Sequence, residues 1–331
     1  MKPDAPVIAI ELELIIRLVK TPSNALLSEL IVVHIAFISQ YFHPEPFSNS
    51  EIAAWLVEQG HMVDAFPCVP NYPGNEFYPG FSNSKRREEV WNGVQIHRTR
   101  TISRGTSALT LALNFILYPF AAAFTMRRKL RRGLPNVSFV SMPSPLSQAL
   151  AGLWLRWRYG VPCVYWVQDI WPESLLVTLN IKRPIIVKLL SAFCGWIYRR
   201  ADLILVQSEV FPSMIERFGV PADRIRVLPN TAPAHYQPKA PVQSDLAASL
   251  IPRTDRFRLM FAGNIGESQD FDTYMAAAEQ LESQGIGVDW LIVGSGRDLE
   301  RVQTEVVARN LTNVFHFLGR HPEADMPFFF S

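Results

Sequence analysis

Two glycine-bearing stretches in the last third of the chain have the composition of phosphate-holding turns: Phe261-Ala262-Gly263-Asn264-Ile265-Gly266-Glu267-Ser268 and Val293-Gly294-Ser295-Gly296-Arg297-Asp298. Glycine lets a backbone approach a diphosphate closely, and the orphan N–H groups of a helix start supply positive potential. Asn264 stands between the first pair of glycines, and Arg297 opens the helix expected after Gly296. Each stretch alone also fits an ordinary strand-to-helix turn, the second with a solvent-exposed arginine. One β-α unit apart, they read as two anion-binding junctions of one domain.

A second group is acidic. Asp169 and Glu173 lie in Gln168-Asp169-Ile170-Trp171-Pro172-Glu173-Ser174, just after an apolar run. A carboxylate at the C-terminal end of a buried strand can bind a hydroxylated acceptor or assist proton transfer. Asp169, two residues before Trp171-Pro172, equally fits a helix cap. His43 and Glu45 follow the first strand and are candidates for the acceptor side; a hydrogen-bonded loop histidine and a solvated loop carboxylate are the plainer alternatives. Asn230, before a proline-rich segment, reads as a ligand contact near a hinge or as a turn residue. The seven histidines show no metal-ligand spacing, so no metal is expected.

The elements that must position these residues alternate in type. Residues 31–39 read as a strand buried on both faces, 50–59 as a helix closed by Gly60, and 62–66 as the next strand. Further strands near 94–98, 137–141, 163–167, 203–207 and 226–229, with helices at 147–158 and 184–200, imply an α/β fold with a doubly wound parallel sheet. Pro233, Pro238, Pro241 and Pro252 then interrupt regular structure. The alternation restarts with strands at 258–262, 288–293 and 314–318 and helices at 271–284 and 297–309, and the chain stops inside the next expected helix. The organisation is thus an extension over 1–30, a first domain over 31–232, a linker over 233–256, and a partial second domain over 257–331.

With 331 residues and 48% hydrophobic content, the chain is long enough for two cores. A net charge of +2 is too even for a general nucleic-acid binder. Three cysteines, none in a C-x-x-C pair, suggest no disulfide framework and fit a reducing cytoplasm. Glu11 and Glu13 interrupt the apolar stretch where a secretory signal would be continuous. The interval between Arg104 and Arg127 is uncharged, is long enough to span a bilayer, and is followed by Arg128, Lys129, Arg131 and Arg132. A docked or core helix is favoured over a span, because Asn114 and Pro119 sit in its middle and the basic cluster follows, as in helices that rest in a membrane interface.

Phe-Ala-Gly-Asn-Ile-Gly at 261–266, Ile-Val-Gly-Ser-Gly at 292–296 and Asn-Val-Phe-His-Phe-Leu-Gly at 313–319 resemble the C-terminal domain of family 4 glycosyltransferases. Tyr41-Phe42-His43-Pro44-Glu45-Pro46, Gln168-Asp169-Ile170-Trp171-Pro172-Glu173-Ser174 and Val227-Leu228-Pro229-Asn230 resemble the subgroup acting in capsule, O-antigen and colanic-acid assembly. The resemblance implies a GT-B architecture of two Rossmann-like domains. It implies sugar transfer with retention from a nucleotide sugar to a glycan acceptor, lipid-linked in that subgroup, at the inner face of the cell membrane. It implies no metal or other cofactor. Gly263, Asn264, Gly266, Gly294, Gly296, Arg297 and Asn230 fall on the nucleotide-sugar side, Asp169 and Glu173 on catalysis, and His43 and Glu45 on the acceptor side.

The chain departs from the family pattern in three places. Pro46-Phe47-Ser48-Asn49-Ser50 replaces the glycine-rich loop after the first strand, and Asn264, Ser268 and Gln269 stand where many members carry Arg and Lys. The Glu-x7-Glu segment that holds the donor falls beyond residue 331, so the resemblance implies a C-terminally truncated second domain. A noncatalytic remnant or partner subunit is the competing reading. A Rossmann oxidoreductase is disfavoured because the first β-α turn lacks G-x-G-x-x-G.

Overall fold

The computed structural model describes residues 32–330 except 73, 106, 179–181, 231–235 and 238–244. The extension expected over 1–30 and much of the linker lie outside the described residues. Among those described, the chain forms two compact units, one up to 230 and one from 236 onward.

The first unit is built on β1 (His34–Ile38), α1 (Asn49–Glu58), β2 (Met62–Ala65), β3 (Glu88–Trp91), β4 (Val94–His97), α2 (Ala108–Lys129) and β5 (Val137–Met142). It continues with α3 (Ala149–Tyr159), β6 (Cys163–Val167), α4 (Glu173–Thr178), α5 (Pro184–Tyr198), β7 (Leu203–Val206), α6 (Phe211–Glu216) and β8 (Ile225–Val227). The sheet order is β3-β4-β2-β1-β5-β6-β7-β8, parallel throughout except for β3, which pairs antiparallel with β4. The sequence pattern misses β3, because Glu-Glu-Val-Trp carries a half-solvated edge strand rather than an apolar run.

Strands β5, β6 and β7 are buried at every position, which is why they are mostly apolar, with the buried Ser138 and Ser141 as the small polar residues of β5. Two cores result. One layer holds α1 through Ile52, Ala53 and Leu56. The opposite layer holds α2, α3 and α5 through residues such as Tyr118, Met126, Leu153 and Ile197. Helix α2 starts where the Ser107 side chain accepts the Thr110 N–H, and it fixes itself to the sheet by the Tyr118 hydroxyl, which donates to the Phe66 carbonyl at 2.9 Å. The stretch read as a docked helix is therefore packed along one side on the sheet, and its other side is exposed.

The second unit contains α7 (Asp245–Leu250), β9 (Phe257–Asn264), α8 (Phe271–Ser283), β10 (Val288–Ser295), α9 (Leu299–Ala308), β11 (Phe315–Gly319) and α10 (Met326–Phe329). Its described sheet runs β11-β10-β9, all parallel, and packs on α8 and α9 through Phe271, Met275, Val302 and Val306.

Candidate functional site

In an open parallel sheet, ligands gather outside the C-terminal strand ends where the strand order reverses. In the first unit that reversal lies between β1, flanked by β2, and β5. The chain leaving β1 is polar and buried: Gln40 receives the Gln148 side-chain oxygen on its N–H at 2.5 Å and donates its own amide to Asn114 at 2.5 Å. The Asn49 amide donates to the Ser39 hydroxyl and the Tyr41 carbonyl, both at 2.8 Å. The peptide bonds before Pro44, Pro145 and Pro172, in the turns after β1, β5 and β6, are cis.

Glu45 is not the solvated loop carboxylate that its exposed-looking sequence context suggests. It is 4% exposed and accepts the N–H groups of Asn71 (2.7 Å), Tyr72 (2.8 Å) and Phe42 (3.1 Å). Burial pushes its carboxyl up to about 7 even though three amides donate to it. Glu45 thereby ties the turn after β1 to the loop that follows β2. Beside it Tyr41, Phe47 and Tyr72 pack ring against ring within 5.4 Å, and the Arg104 guanidinium lies over Tyr41 and Tyr72. The sequence reading missed this aromatic and cationic cluster, since its members come from three separated segments.

Among the described residues the His43 ring makes no hydrogen bond. Its imidazole stacks on Trp91 at 4.4 Å, and burial lowers its pKa, so the ring is neutral at neutral pH. Its carbonyl accepts from Arg98 at 2.9 Å.

Asp169 stands just past the C-terminal end of β6 and, among the described residues, forms no hydrogen bond or ion pair; the carbonyl of Ile170, not its carboxylate, accepts the Ser174 N–H in the first turn of α4. Its surface is open to solvent, but the surrounding protein removes enough hydration to push its carboxyl up to about 6. Glu173, one helical turn on, is ion-paired through one carboxylate oxygen to Arg217 on the chain leaving α6. Next to Asp169, three side-chain amides meet across the ends of β6, β7 and β8. Asn230 donates to Gln207 at 2.5 Å and accepts from Gln168 at 3.3 Å, and Gln207 donates to the Gln168 carbonyl at 2.6 Å. Asn230 is thus held by Gln168 and Gln207, neither of which the sequence reading singled out.

In the second unit β9 and β10 pair in register, Gly263 opposite Gly294 and Asn264 opposite Ser295, so the two glycine turns leave the sheet side by side. The Ile265 N–H donates to the Ser295 carbonyl at 3.0 Å, and the Asp298 N–H donates to the Ile265 carbonyl at 3.2 Å. Gly294 and Gly296 owe their identity to this lacing: a Cβ on either would stand 1.9 Å from a carbonyl oxygen of the facing strand end. Gly263 and Gly266 face only side chains, at 3.2 Å or more. Among the described residues the N–H groups of Gly266 and Arg297 have no acceptor, and the exposed Arg297 guanidinium has no carboxylate partner. Asp298 is occupied with Arg301, which also reaches Asp272. The arrangement offers amides and one free cation to an anion at the ends of β9 and β10.

Residues 48–231, which carry the turns after β5 and β6 and Asp169, match the model of the glycosyl transferase 4-like domain. The chain belongs to the glycosyl transferase 4-like family. A protein named as a colanic acid biosynthesis glycosyl transferase, WcaI of Escherichia coli (strain K12), is 23% identical over 279 residues, covering 81% of this chain and 66% of the relative. The chain thus spans slightly less than two thirds of that relative's length. Sucrose-phosphate synthase from Thermosynechococcus elongatus superposes with a TM-score of 0.66 at 16% identity, over 90% of this chain and 73% of that one. WaaG, a glycosyltransferase involved in lipopolysaccharide biosynthesis, and Anabaena Alr3699/HepE in complex with UDP and glucose superpose at 0.56 and 0.57, with 11% and 13% identity, each over 89% of this chain and 71% of the other. The glycosyl transferase 4-like chain shares their α/β fold, a large, mostly parallel sheet flanked by helices, as in GT-B glycosyltransferases.

Proposed function

We propose that this chain is a glycosyltransferase that moves a sugar, with retention, from a nucleotide-sugar donor to a lipid-linked glycan acceptor in cell-surface polysaccharide assembly. The observation that carries the reading is the Asp169 carboxyl, which has no partner among the described residues, at a strand end inside the family-matched domain. The first unit takes the acceptor. Asp169 contacts its hydroxyls, and the turn after β1 adds His43, with the Tyr41, Phe47 and Tyr72 rings and Arg104 as a platform for a sugar or phosphate. The second unit takes the donor, whose diphosphate gains charge as the glycosidic bond breaks. Amides at Gly266 and Arg297 and the free Arg297 guanidinium stabilise that charge without reorganising. Colanic acid and lipopolysaccharide, named for two relatives, are the polymer classes that support a lipid-linked acceptor.

Calorimetric titration of the full chain with UDP-glucose, the ligand class bound by Alr3699/HepE, tests the donor side. Saturable binding that weakens about tenfold in Arg297→Gln, the loss of one charge-assisted contact, supports it. Absence of saturable binding to any nucleotide sugar favours instead a noncatalytic partner subunit that keeps an acceptor-type fold.

A further inference from the structure

The peptide that carries Asp169 is fixed on both sides by groups from other elements. Beyond it, the buried Tyr198 hydroxyl at the end of α5 accepts the Trp171 N–H at 3.1 Å and donates to the Trp171 carbonyl at 3.3 Å. Ile170, between them, is buried. Before it, the Gln168 N–H donates to the Met142 carbonyl at 3.2 Å, and the Gln168 carbonyl accepts the Gln207 side-chain amide at 2.6 Å. Of residues 168–171 only Asp169 is exposed.

Three strand ends supply the amides. Gln168 and Gln207 are each the first residue past the register pair Val167 and Val206. The chain leaving β8 is pinned beside them, the Leu228 N–H donating to the Val206 carbonyl at 2.7 Å and the Leu228 carbonyl accepting the buried Trp166 indole N–H at 3.3 Å. Asn230 follows. The three residues then bond in one cyclic sense: Gln168 Nε2 to Asn230 Oδ1, Asn230 Nδ2 to Gln207 Oε1, and Gln207 Nε2 back to the Gln168 main-chain carbonyl. A carboxamide has one accepting and one donating side. With its oxygen engaged by Asn230, Gln207 must aim its NH2 group at the Gln168 carbonyl; turned over, it would set oxygen against oxygen and NH2 against NH2. No member titrates, so the ring keeps its sense while the carboxyl beside it gains or loses a proton. A cation at this place would instead engage Asp169, as Arg217 engages Glu173.

We propose that Gln207, held in one orientation by Asn230, is a positioning residue for Asp169: by fixing the Gln168 carbonyl it holds the next residue's carboxyl at the strand end, where neighbouring protein keeps part of its water away. Its purpose rests on the reading of Asp169 as the carboxylate that meets the acceptor, whereas the clamp itself requires no sugar transfer. A carboxylate that must meet a hydroxyl within hydrogen-bond reach loses rate when its peptide shifts by about 1 Å.

The full chain is isotopically labelled at the carboxyl carbons of its aspartates, the Asp169 signal is identified by its loss in Asp169→Asn, and its titration is followed by NMR. The parent midpoint is expected at about 6. Gln207→Met keeps the bulk of the side chain without its amide, and Asn230→Ala frees the Gln207 amide to turn. Each should bring the midpoint down toward the ordinary carboxylate value, because a loosened peptide lets water reach the carboxyl. The double variant should fall no further than Gln207→Met alone, since both act through one bond. In nucleotide release with membranes supplied, each single variant should lower kcat about tenfold and leave the donor KM within about twofold, a split that lost global stability does not produce. Asn230 is exposed, so a Gln207→Met chain that fails to fold leaves Asn230→Ala to decide. A midpoint that is the same in the parent and the folded variants, or effects that add in the double variant, overturns the proposal. A parent that releases no nucleotide removes the sugar-transfer reading, and the carboxyl titration still decides the clamp.

Discussion

Gly294 lies against Gly263 across the β9–β10 ladder, so close that a Cβ on Gly294 would stand 1.9 Å from the Gly263 carbonyl oxygen. The backbone of Gly294 also has φ of +148°, which L side chains rarely adopt. The two turns proposed to hold the donor diphosphate are thus one backbone construction. Gly294→Ala should destabilise the second unit by about 3 kcal/mol or more, from overlap with backbone that has no rotamer to relax into. Chemical denaturation followed by near-UV circular dichroism should show the second unit melting early while the first keeps its midpoint.

Asp169 supplies a pH test. Its folded-state pKa, about 6, lies above that of the unfolded chain, so between these values the native state holds a proton that the unfolded state has released. Its contribution to stability therefore falls as pH rises through about 6. Asp169→Asn should leave the thermal midpoint unchanged or slightly raised at neutral pH, with solvent access limiting the gain to about 1 kcal/mol. The same substitution should lower kcat/KM about 100-fold or more. In the parent, kcat/KM should climb as pH passes about 6, because the ionised carboxylate is the form that accepts the acceptor's hydroxyl proton or hydrogen bond.

Much of this was legible from residues alone. The mostly apolar runs at β1, β5, β6 and β7 announced a parallel sheet because strands buried on both faces leave little room for polar side chains. The glycine turns after β9 and β10 announced a junction because few other residues permit such close backbone approach. Environment was not legible. Glu45 reads as a surface carboxylate between prolines, and only the fold brings the Asn71 and Tyr72 amides to it from more than twenty residues away. Glu173 reads as a free acid, and only the fold brings Arg217 to it from the chain leaving α6. Gln168 and Gln207 carry no charge and match no motif, yet they position Asn230.

Glu45 gives the sharpest test of the first unit. Glu45→Ala would strand the N–H groups of Phe42, Asn71 and Tyr72, and the variant should lose about 3 kcal/mol of stability in urea titration. Glu45→Gln keeps one carbonyl oxygen and should recover part of it. A loss within experimental error for Glu45→Ala would mean that the turns after β1 and β2 are not joined through this side chain.

Asp64 accepts from His34 at 2.6 Å and from His97 at 2.7 Å, and these bonds hold its carboxyl well below the usual carboxylate range despite burial. A depressed folded-state pKa stabilises the protein above the unfolded value, near 4, and that stability is lost as pH falls through the folded value. Asp64→Asn should cost about 2 kcal/mol at neutral pH and flatten the acid limb of the stability curve, measured by denaturation at a series of pH values.

The central claim is sugar transfer, and the most direct measurement is nucleotide release from UDP-glucose and a panel of other nucleotide sugars by the purified full chain with bacterial membranes supplied as acceptor. Release from at least one donor is expected, dependent on added membranes and lowered about 100-fold or more in Asp169→Asn. A folded chain that releases no nucleotide from any donor, or one whose release is indifferent to Asp169→Asn, would contradict it.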